Sequence, residues 1–270
     1  MNKKWIITGL LTISLVLTAR ELTLLPDGNL HTYILDVGQG DSILIVTPSG
    51  KQILIDGGPD LAALEHLGEH MSFFDRSIDL VVLTHPHADH MTALPDVLKR
   101  YDVGNLLVAM TESKNSRYKS FLEEASGQNI RVILPNPNED IDIGDGIILD
   151  VIHPCSYCDM DTNNSSIVLR VLYKEHSILL TGDIEGEAEE KILKSGAELG
   201  SDLIKIAHHG SRTSSSTGFL LGVNPKQAFI SVGEDNSYSH PSPEVIARLN
   251  DMNIGIKSTK DDGTIQLVLK

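Results

Sequence analysis

The chain has 270 residues, 41% of them apolar, which is enough for one large domain or two small ones with their own core and excludes a disordered or collagen-like chain. Its 22 basic and 37 acidic residues leave a formal net charge of −15, which excludes a broad positive field for gripping nucleic acid or anionic lipid. An anionic substrate has to be met locally. Eleven histidines against two cysteines point to imidazole and carboxylate chemistry rather than thiolate clusters or a disulfide scaffold.

Lys3 and Lys4 precede an uncharged run from Trp5 to Ala19, closed by Arg20 and Glu21. This reads as an export signal over residues 1–20. Leu17 stands at −3 to a break after Ala19, where a small residue is preferred, so an uncleaved N-terminal membrane anchor is the second reading. The run is shorter than the roughly 20 residues of a spanning helix. In both readings the remainder lies outside the cytoplasmic membrane, secreted or anchored to it. It reads as one domain over residues 29–270, because no repeat, low-complexity linker or second long apolar run divides it. One apolar run is too few for a DNA channel.

Short stretches rich in Ile, Val and Leu predict strands at residues 32–37, 42–46, 52–56, 80–84, 106–110, 132–134, 147–152, 167–172, 177–181, 203–207, 227–232 and 264–269. That is more than one flat sheet usually holds. Helical spacing predicts helices over 88–100, 118–126, 186–194 and 243–252, the last with Pro243 in its first turn after Ser242. Grouped strands with helices interspersed imply layered α/β packing, two sheets with helices outside.

The strand at Leu80–Thr84 runs straight into His85-Pro86-His87-Ala88-Asp89-His90. In an extended segment positions i and i+2 project to one side, so His85 and His87 can hold one cation. If a helix starts near Ala88, Asp89 and His90 sit on its first turn and face a neighbouring cation. Divalent ions such as zinc accept both imidazole and carboxylate. Three more strand ends deliver Asp183 through a Gly182 turn, His208-His209-Gly210-Ser211, and His153. Each alone has a bland reading as a helix cap or a hydrogen-bonded surface histidine; together with the first cluster they suggest one site.

These residues resemble a family. Thr84-His85-Pro86-His87-Ala88-Asp89-His90 matches the HxHxDH signature of the metallo-β-lactamase superfamily, Leu54-Ile55-Asp56-Gly57-Gly58 resembles its preceding aspartate motif, and Leu180-Thr181-Gly182-Asp183 resembles its bridging aspartate. The resemblance covers nearly the whole chain after residue 30. More narrowly, Asp36 to Ser42, Asn163 to Leu169, Lys205 to Ser211 and Ser239-His240-Pro241 are similar to the hydrolase-like domain of the competence DNA-uptake protein ComEC. Phosphorylcholine esterases have a related His-His-Gly arrangement.

The resemblance implies a four-layer αββα metallo-β-lactamase sandwich of class α/β, with two divalent metal ions, zinc or alternatively manganese, along one edge. His85 and His87 would hold the first ion and Asp89 and His90 the second. Asp183 would bridge them, and His209, in preference to His208, would complete the second site. The Pro-Gly-His stretch usual for the third motif is absent; Asn163-Asn164-Ser165 stands near its place, and His153 is the nearest substitute. Without His153 the first site is short of protein ligands. Asp56 and Asp36 look like groups that orient ligand histidines.

Two adjacent divalent ions lower the pKa of water and stabilise charge on an attacked phosphoryl or acyl centre, so hydrolysis is implied. Asp89, His208 and His240 are the candidate catalytic groups, with His208 or His240 protonating the leaving oxygen or neutralising developing charge. Lys205, Arg212 and the hydroxyls of Ser211 to Thr217 are placed to hold a phosphate, unless that run is only a flexible loop. Two ions contribute local positive charge that the overall composition conceals. Phosphodiester or phosphomonoester substrates, single-stranded DNA among them, are therefore favoured over β-lactams. The expectation is an exported or membrane-anchored phosphodiesterase or nuclease; the alternative is a non-catalytic, metal-stabilised module that binds DNA or a channel partner. Three further patterns compete weakly: His66-Leu67-Gly68-Glu69-His70 as an HxxEH zinc helix weakened by Gly68, Asp159 to Arg170 as an incomplete calcium loop, and Cys155-Ser156-Tyr157-Cys158 as a local disulfide or half a zinc site.

Overall fold

The computed structural model describes residues 3–109, 113–154 and 162–270. It opens with α1 (Lys3–Thr23), a helix that stands off the body with its apolar side chains exposed. The helix runs past the apolar stretch through Arg20, and its 21 residues reach about 30 Å at 1.5 Å each.

The first half of the chain supplies β1 (Leu30–Ile34), β2 (Ile43–Val46), β3 (Gln52–Ile55), α2 (Ala62–His70), β4 (Ser77–Leu83), α3 (Ala88–Met91), α4 (Leu94–Arg100), β5 (Asp102–Val108), α5 (Ser116–Gly127) and β6 (Arg131–Ile133). The second half supplies β7 (Ile141–Gly144), β8 (Ile147–His153), β9 (Val168–Tyr173), β10 (His176–Leu180), α6 (Gly186–Ser195), β11 (Leu203–Lys205), α7 (Thr217–Val223), β12 (Gln227–Ile230), α8 (Pro243–Asp251), β13 (Gly255–Ser258) and α9 (Thr259–Asp262). Finally β14 (Ile265–Leu269) crosses back to pair with β1. Among the described residues the strands form two sheets, ordered β14-β1-β2-β3-β4-β5-β6 and β13-β12-β11-β10-β9-β8-β7. Each sheet is antiparallel through its hairpins and parallel beyond, from β3 to β6 and from β10 to β13.

Strands covered on both faces explain the continuous apolar runs. Leu80 and Val82 point between the sheets, where they join Ile53 and Ile55 against Leu149, Val151, Leu169 and Leu180. Their neighbours Val81 and Leu83 point outward to Leu67, Leu94, Val97 and Phe121 of α2, α4 and α5. On the other sheet Leu179, Ile204 and Ile230 meet Ala188, Ile192, Phe219, Val245 and Leu249 of α6, α7 and α8. Three apolar layers thus separate four layers of structure, the αββα sandwich.

Two strands and two substantial helices escape the sequence pattern. β7 pairs with β8 around Asp145-Gly146, both at positive φ, an Asp-Gly hairpin signal beside a strand too short to show alternation. β13 is an edge strand that buries little besides Ser258. α2 forms despite Gly68, because Ala63, Leu64 and Leu67 bury one face. α7 follows the Ser/Thr run, capped where Ser216 accepts a hydrogen bond from Phe219 N. The expected helix over 88–100 divides into α3 and α4, with Pro95 restarting the second at its first turn.

The topology positions the site. β3 and β4 in one sheet and β10, β11 and β12 in the other end at one edge, and the loops after those ends carry Asp56, His85 to His90, Asp183, His208 to His209 and Ser231. Ligands of such sheets bind outside the carboxyl ends of the strands. Leu149 lies fully buried between the sheets, so Leu149→Ala should lower stability by about 2–5 kcal/mol in urea unfolding while leaving metal content unchanged; a loss within the error of the measurement would contradict this packing.

Candidate metal centre

Asp56 follows β3 with φ at 61°. Its carboxylate accepts hydrogen bonds from Thr84 N at 2.8 Å, Thr84 Oγ1 at 2.7 Å and His90 Nδ1 at 2.8 Å. One side chain therefore joins the ends of β3 and β4 and turns His90 Nε2 toward the centre, the orienting role expected of it. Asp36 does not share that role: its side chain accepts from its own loop at Gly38 N, and its backbone oxygen receives His66 Nε2.

Asp183 arrives through the turn after β10. Gly182 adopts φ +51°, and a Cβ there would lie 2.8 Å from Ser166 Cβ, so glycine is required. Asp183 N donates to Ser166 Oγ at 3.1 Å, and its Oδ2 lies 3.1 Å from His90 Nε2, 3.5 Å from His209 Nε2, 3.9 Å from His208 Nε2 and 4.0 Å from His85 Nε2. His208 and His209 form one tight turn after β11 with φ of 50° and 52°, left-handed values that cost roughly 1–2 kcal/mol each for residues with a Cβ. Such strain collects at functional sites. Gly210 ends the turn at φ +82°, where a Cβ would meet Pro241 Cβ at 2.6 Å.

Asp41 and Lys205 hold His209 in place. His209 Nδ1 donates to Ser231 O at 3.0 Å and lies 3.3 Å from Asp41 Oδ1, while the other Asp41 oxygen pairs with the fully buried Lys205 ammonium. Lys205 thus lies beneath the site and is not placed to touch a phosphate. Sequence reading assigned neither residue this role. The available signal was a lysine inside the otherwise apolar Leu203 to Ala207 run, since such a charge is seldom buried unless paired.

One donor atom from each of Asp89, His90, Asp183 and His209 lies within 4.8 Å of the others. His90 Nε2, His209 Nε2 and Asp183 Oδ1 are buried without a hydrogen-bond partner, an arrangement that costs free energy unless a cation gathers them. Two imidazoles and two carboxylates fit a divalent ion such as zinc. Burial alone would push His209 down, but Asp183 and Asp41 hold it at about 9; burial likewise opposes His90, yet Asp183 and Asp56 hold it well above the usual imidazole range. Burial opposes ionisation of Asp183 too, and His90 and His209 overcome it to keep the carboxylate well below its ordinary value. Imidazoles and carboxylates drawn together in this way release protons as they ligate a cation.

His85 and His87 stand beside this set but are less provided for. His85 Nε2 lies 3.1 Å from His87 Nδ1, and His85 Nδ1 is 3.2 Å from Ser166 Oγ. Burial and the charge on His90 push His85 well below its usual range, so it stays neutral and able to ligate. His153 does not complete this pair. Burial keeps it neutral, so its Nε2 is the donor to Asn164 O at 2.8 Å, and it joins no donor cluster among the described residues. The Asn163–Ser165 segment has structural duties instead: Asn164 Oδ1 accepts from Glu185 N and Ala188 N at the start of α6. The first position is left with His85, His87 and a share of Asp183.

His208 and His240 lie at the rim, ring centroids 5.8 Å apart, with His208 Nδ1 3.0 Å from Glu185 Oε1. The Ser/Thr run is not a phosphate cradle. Ser214 Oγ donates to backbone oxygens, Ser215 N and Ser216 N bind the Glu189 carboxylate, and Arg212 is exposed. On α2, His66 is engaged with Asp36 O and Glu69, and His70 stacks on Tyr33. The Cys155–Cys158 pair and the start of the calcium-like loop lie outside the described residues.

Residues 35–233 match the family model described as the metallo-beta-lactamase superfamily. The chain belongs to that superfamily. Among curated relatives it is similar to ComE operon protein 3 of Bacillus subtilis, 29% identical over 86% of this chain and 32% of that protein. It is also similar to the competence protein ComA of Neisseria gonorrhoeae, 30% identical over 90% of this chain and 33% of that protein. This superfamily member thus spans about a third of the length of the curated relatives it matches. Among solved structures, the metallo-beta-lactamase fold protein YhfI from Bacillus subtilis aligns with TM-score 0.56 at 11% identity, covering 88% of this chain and 99% of that one, a likeness of fold. Members of the superfamily are generally hydrolases, and the fold usually binds two divalent metals.

The unequal donor sets predict unequal occupancy. Metal analysis of the chain dialysed against limiting zinc should find one ion retained and a second bound only in excess. His209→Ala should abolish the tight ion and His87→Ala only the weak one; two ions of equal affinity, or loss of the tight one on His87→Ala, would contradict the assignment.

Proposed function

We propose that this chain is a metal-dependent phosphoesterase working outside the cytoplasmic membrane, with phosphodiesters such as single-stranded DNA as its substrate class. The observation that carries this reading is the convergence of unpartnered His90 Nε2, His209 Nε2 and Asp183 Oδ1 at one buried point, with two further histidines at the rim. Divalent ions bound there, zinc or manganese, supply a Lewis acid and a nucleophile drawn from water at neutral pH. The chain's own groups do the rest. Asp56 and Asp41 orient His90 and His209; Glu185 steadies His208; and His208 or His240, half-buried at the rim, delivers a proton to the leaving oxygen. The competence proteins among the relatives support a polyanionic substrate. The site resolves the conflict with a net charge of −15, since a phosphate meets cations there rather than the acidic surface.

The same reading retains α1 as a membrane anchor. Its uncharged run from Trp5 to Ala19 is exposed, and Arg20 and Glu21 are bonded to the body of the domain, so helix and domain share a fixed joint. The incomplete first site favours one alternative, a metal-stabilised accessory module that binds DNA or a channel partner without turnover.

Purified full-length chain in detergent should hydrolyse bis-p-nitrophenyl phosphate or single-stranded DNA when given zinc or manganese, and Asp183→Ala and His87→Ala should each reduce the rate to background. Both ions bound with no turnover of any phosphoester would replace the enzyme by the accessory module.

A further inference from the structure

Three of the chain's five phenylalanines, Phe121, Phe219 and Phe229, are fully buried. The other two are adjacent, Phe73 and Phe74, and are 63% and 84% exposed. They sit in the loop before β4, at the foot of α1. Glu21 in the last turn of α1 accepts hydrogen bonds from Ser72 Oγ at 2.6 Å and Phe73 N at 3.0 Å. Arg20 Nη2 donates to the oxygens of Gly68 and Glu69 at the end of α2. Phe74 shares a surface cleft with Leu10, Ile13 and Leu17 of α1 and a second with Leu25, and Leu25 and Leu22, in the last turn of α1, are exposed as well. The apolar helix thus runs into an apolar collar of Leu22, Leu25, Phe73 and Phe74. The Arg76 guanidinium lies 5.4 Å over the Phe73 ring, and Arg20, at the edge of that collar, is paired with Glu21.

We infer that the Phe73–Phe74 loop enters the interface of a lipid bilayer and, with Leu22 and Leu25, seats the domain on the membrane in one orientation. The inference rests on the reading of α1 as a retained anchor. Aromatic and leucine side chains beside basic residues are the composition that lies at the boundary of headgroups and acyl chains. Water would otherwise be left against a contiguous apolar patch. A bilayer is favoured over a protein groove as the occupant because the patch is continuous with a helix long enough to enter one.

The orientation has a consequence for the site. The loop precedes the first residue of β4, and His85 follows its last. The seven residues of that strand at 3.2–3.4 Å each separate the two by roughly 23 Å. The collar is at the amino ends of the parallel strands and the metal centre at their carboxyl ends. The site therefore opens away from the lipid, toward water-borne substrates.

Trp5 is the only tryptophan in the chain and lies in α1, so single-tryptophan variants can report depth. The full chain is reconstituted in phosphatidylcholine–phosphatidylglycerol vesicles with nitroxide-labelled lipids, with iodide as the aqueous quencher. Wild-type Trp5 should be quenched by lipid. In a Trp5→Phe background, Phe74→Trp should give blue-shifted emission quenched by headgroup-proximal nitroxide and protected from iodide, whereas Tyr238→Trp, beside His240, should respond to iodide alone. Trp5 quenched by lipid while Phe74→Trp remains open to iodide overturns the inference and leaves the anchor, marking the loop as a protein contact. Trp5 unquenched by lipid overturns the anchor and the inference together.

Discussion

The Asp183 carboxylate is the constraint around which the site is built. It lies buried at the edge between two sheets with the Nε2 atoms of four histidines 3.1–4.0 Å from one oxygen and no hydrogen bond to the other. A buried charge in that setting is costly unless its surroundings neutralise it, and the local departures from ordinary geometry serve that end. Gly182 turns the chain so that Asp183 can enter, Asp56 departs to positive φ to reach both Thr84 and His90, and two consecutive histidines accept left-handed backbone to face inward. The cost is met by the sandwich itself, whose three apolar layers fasten all the strand ends to one edge.

Beneath the donor atoms lies a second buried charge pair. Lys205 and Asp41 gain little net stability from their attraction once desolvation is counted. Their position explains their presence: Asp41 lies against His209 Nδ1 and 3.9 Å from His90 Nδ1, so the pair fixes which nitrogen of each ring faces the centre. Asp56, which follows β3 in the sheet that Asp41 also borders, does the same for His90. Loops of the first sheet thus orient one histidine from each half of the chain, and the four-donor set forms only where the sheets meet. The neighbouring pair has no equivalent framework. His87 is exposed, and Ser166 stands against His85 Nδ1, so the difference between the two positions is structural as well as a matter of ligand number.

Residues contiguous with a strand end were readable from the chain alone. His85 to His90 form a dense run after an unbroken apolar strand, and Asp183 and His209 each follow one through a turn. His153 meets the same description, yet it misses the cluster because β8 lies three places from β11 in the sheet and hands its histidine to Asn164. Sequence proximity to the absent third-motif histidine did not translate into proximity in space. Lys205 was misread for a related reason: flanking a ligand in sequence suggested a substrate contact, whereas strand alternation turns its side chain inward to Asp41. The Ser211–Thr217 hydroxyls looked available, and those of Ser211, Thr213, Ser214 and Ser216 are taken up by turns and the α7 cap. The layers were legible from the apolar runs, while β7, β13 and α7 were too short or too polar to announce themselves.

Overall charge and local charge separate cleanly in this molecule. The acidic excess lies mostly on solvent-facing residues, while three of the four buried carboxylates among the described residues, Asp41, Asp56 and Asp183, are committed to the imidazole network and the fourth, Glu189, to the backbone before α7. The central claim is that Asp89, His90, Asp183 and His209, the one four-donor set among the described residues, hold the tight ion. Its most direct test is a crystal of the protein loaded with a single equivalent of zinc, with anomalous diffraction recorded at the zinc edge. The account predicts one strong peak within about 2.0–2.2 Å of both imidazole nitrogens and both carboxylates; a first peak held between His85 and His87 instead would contradict it.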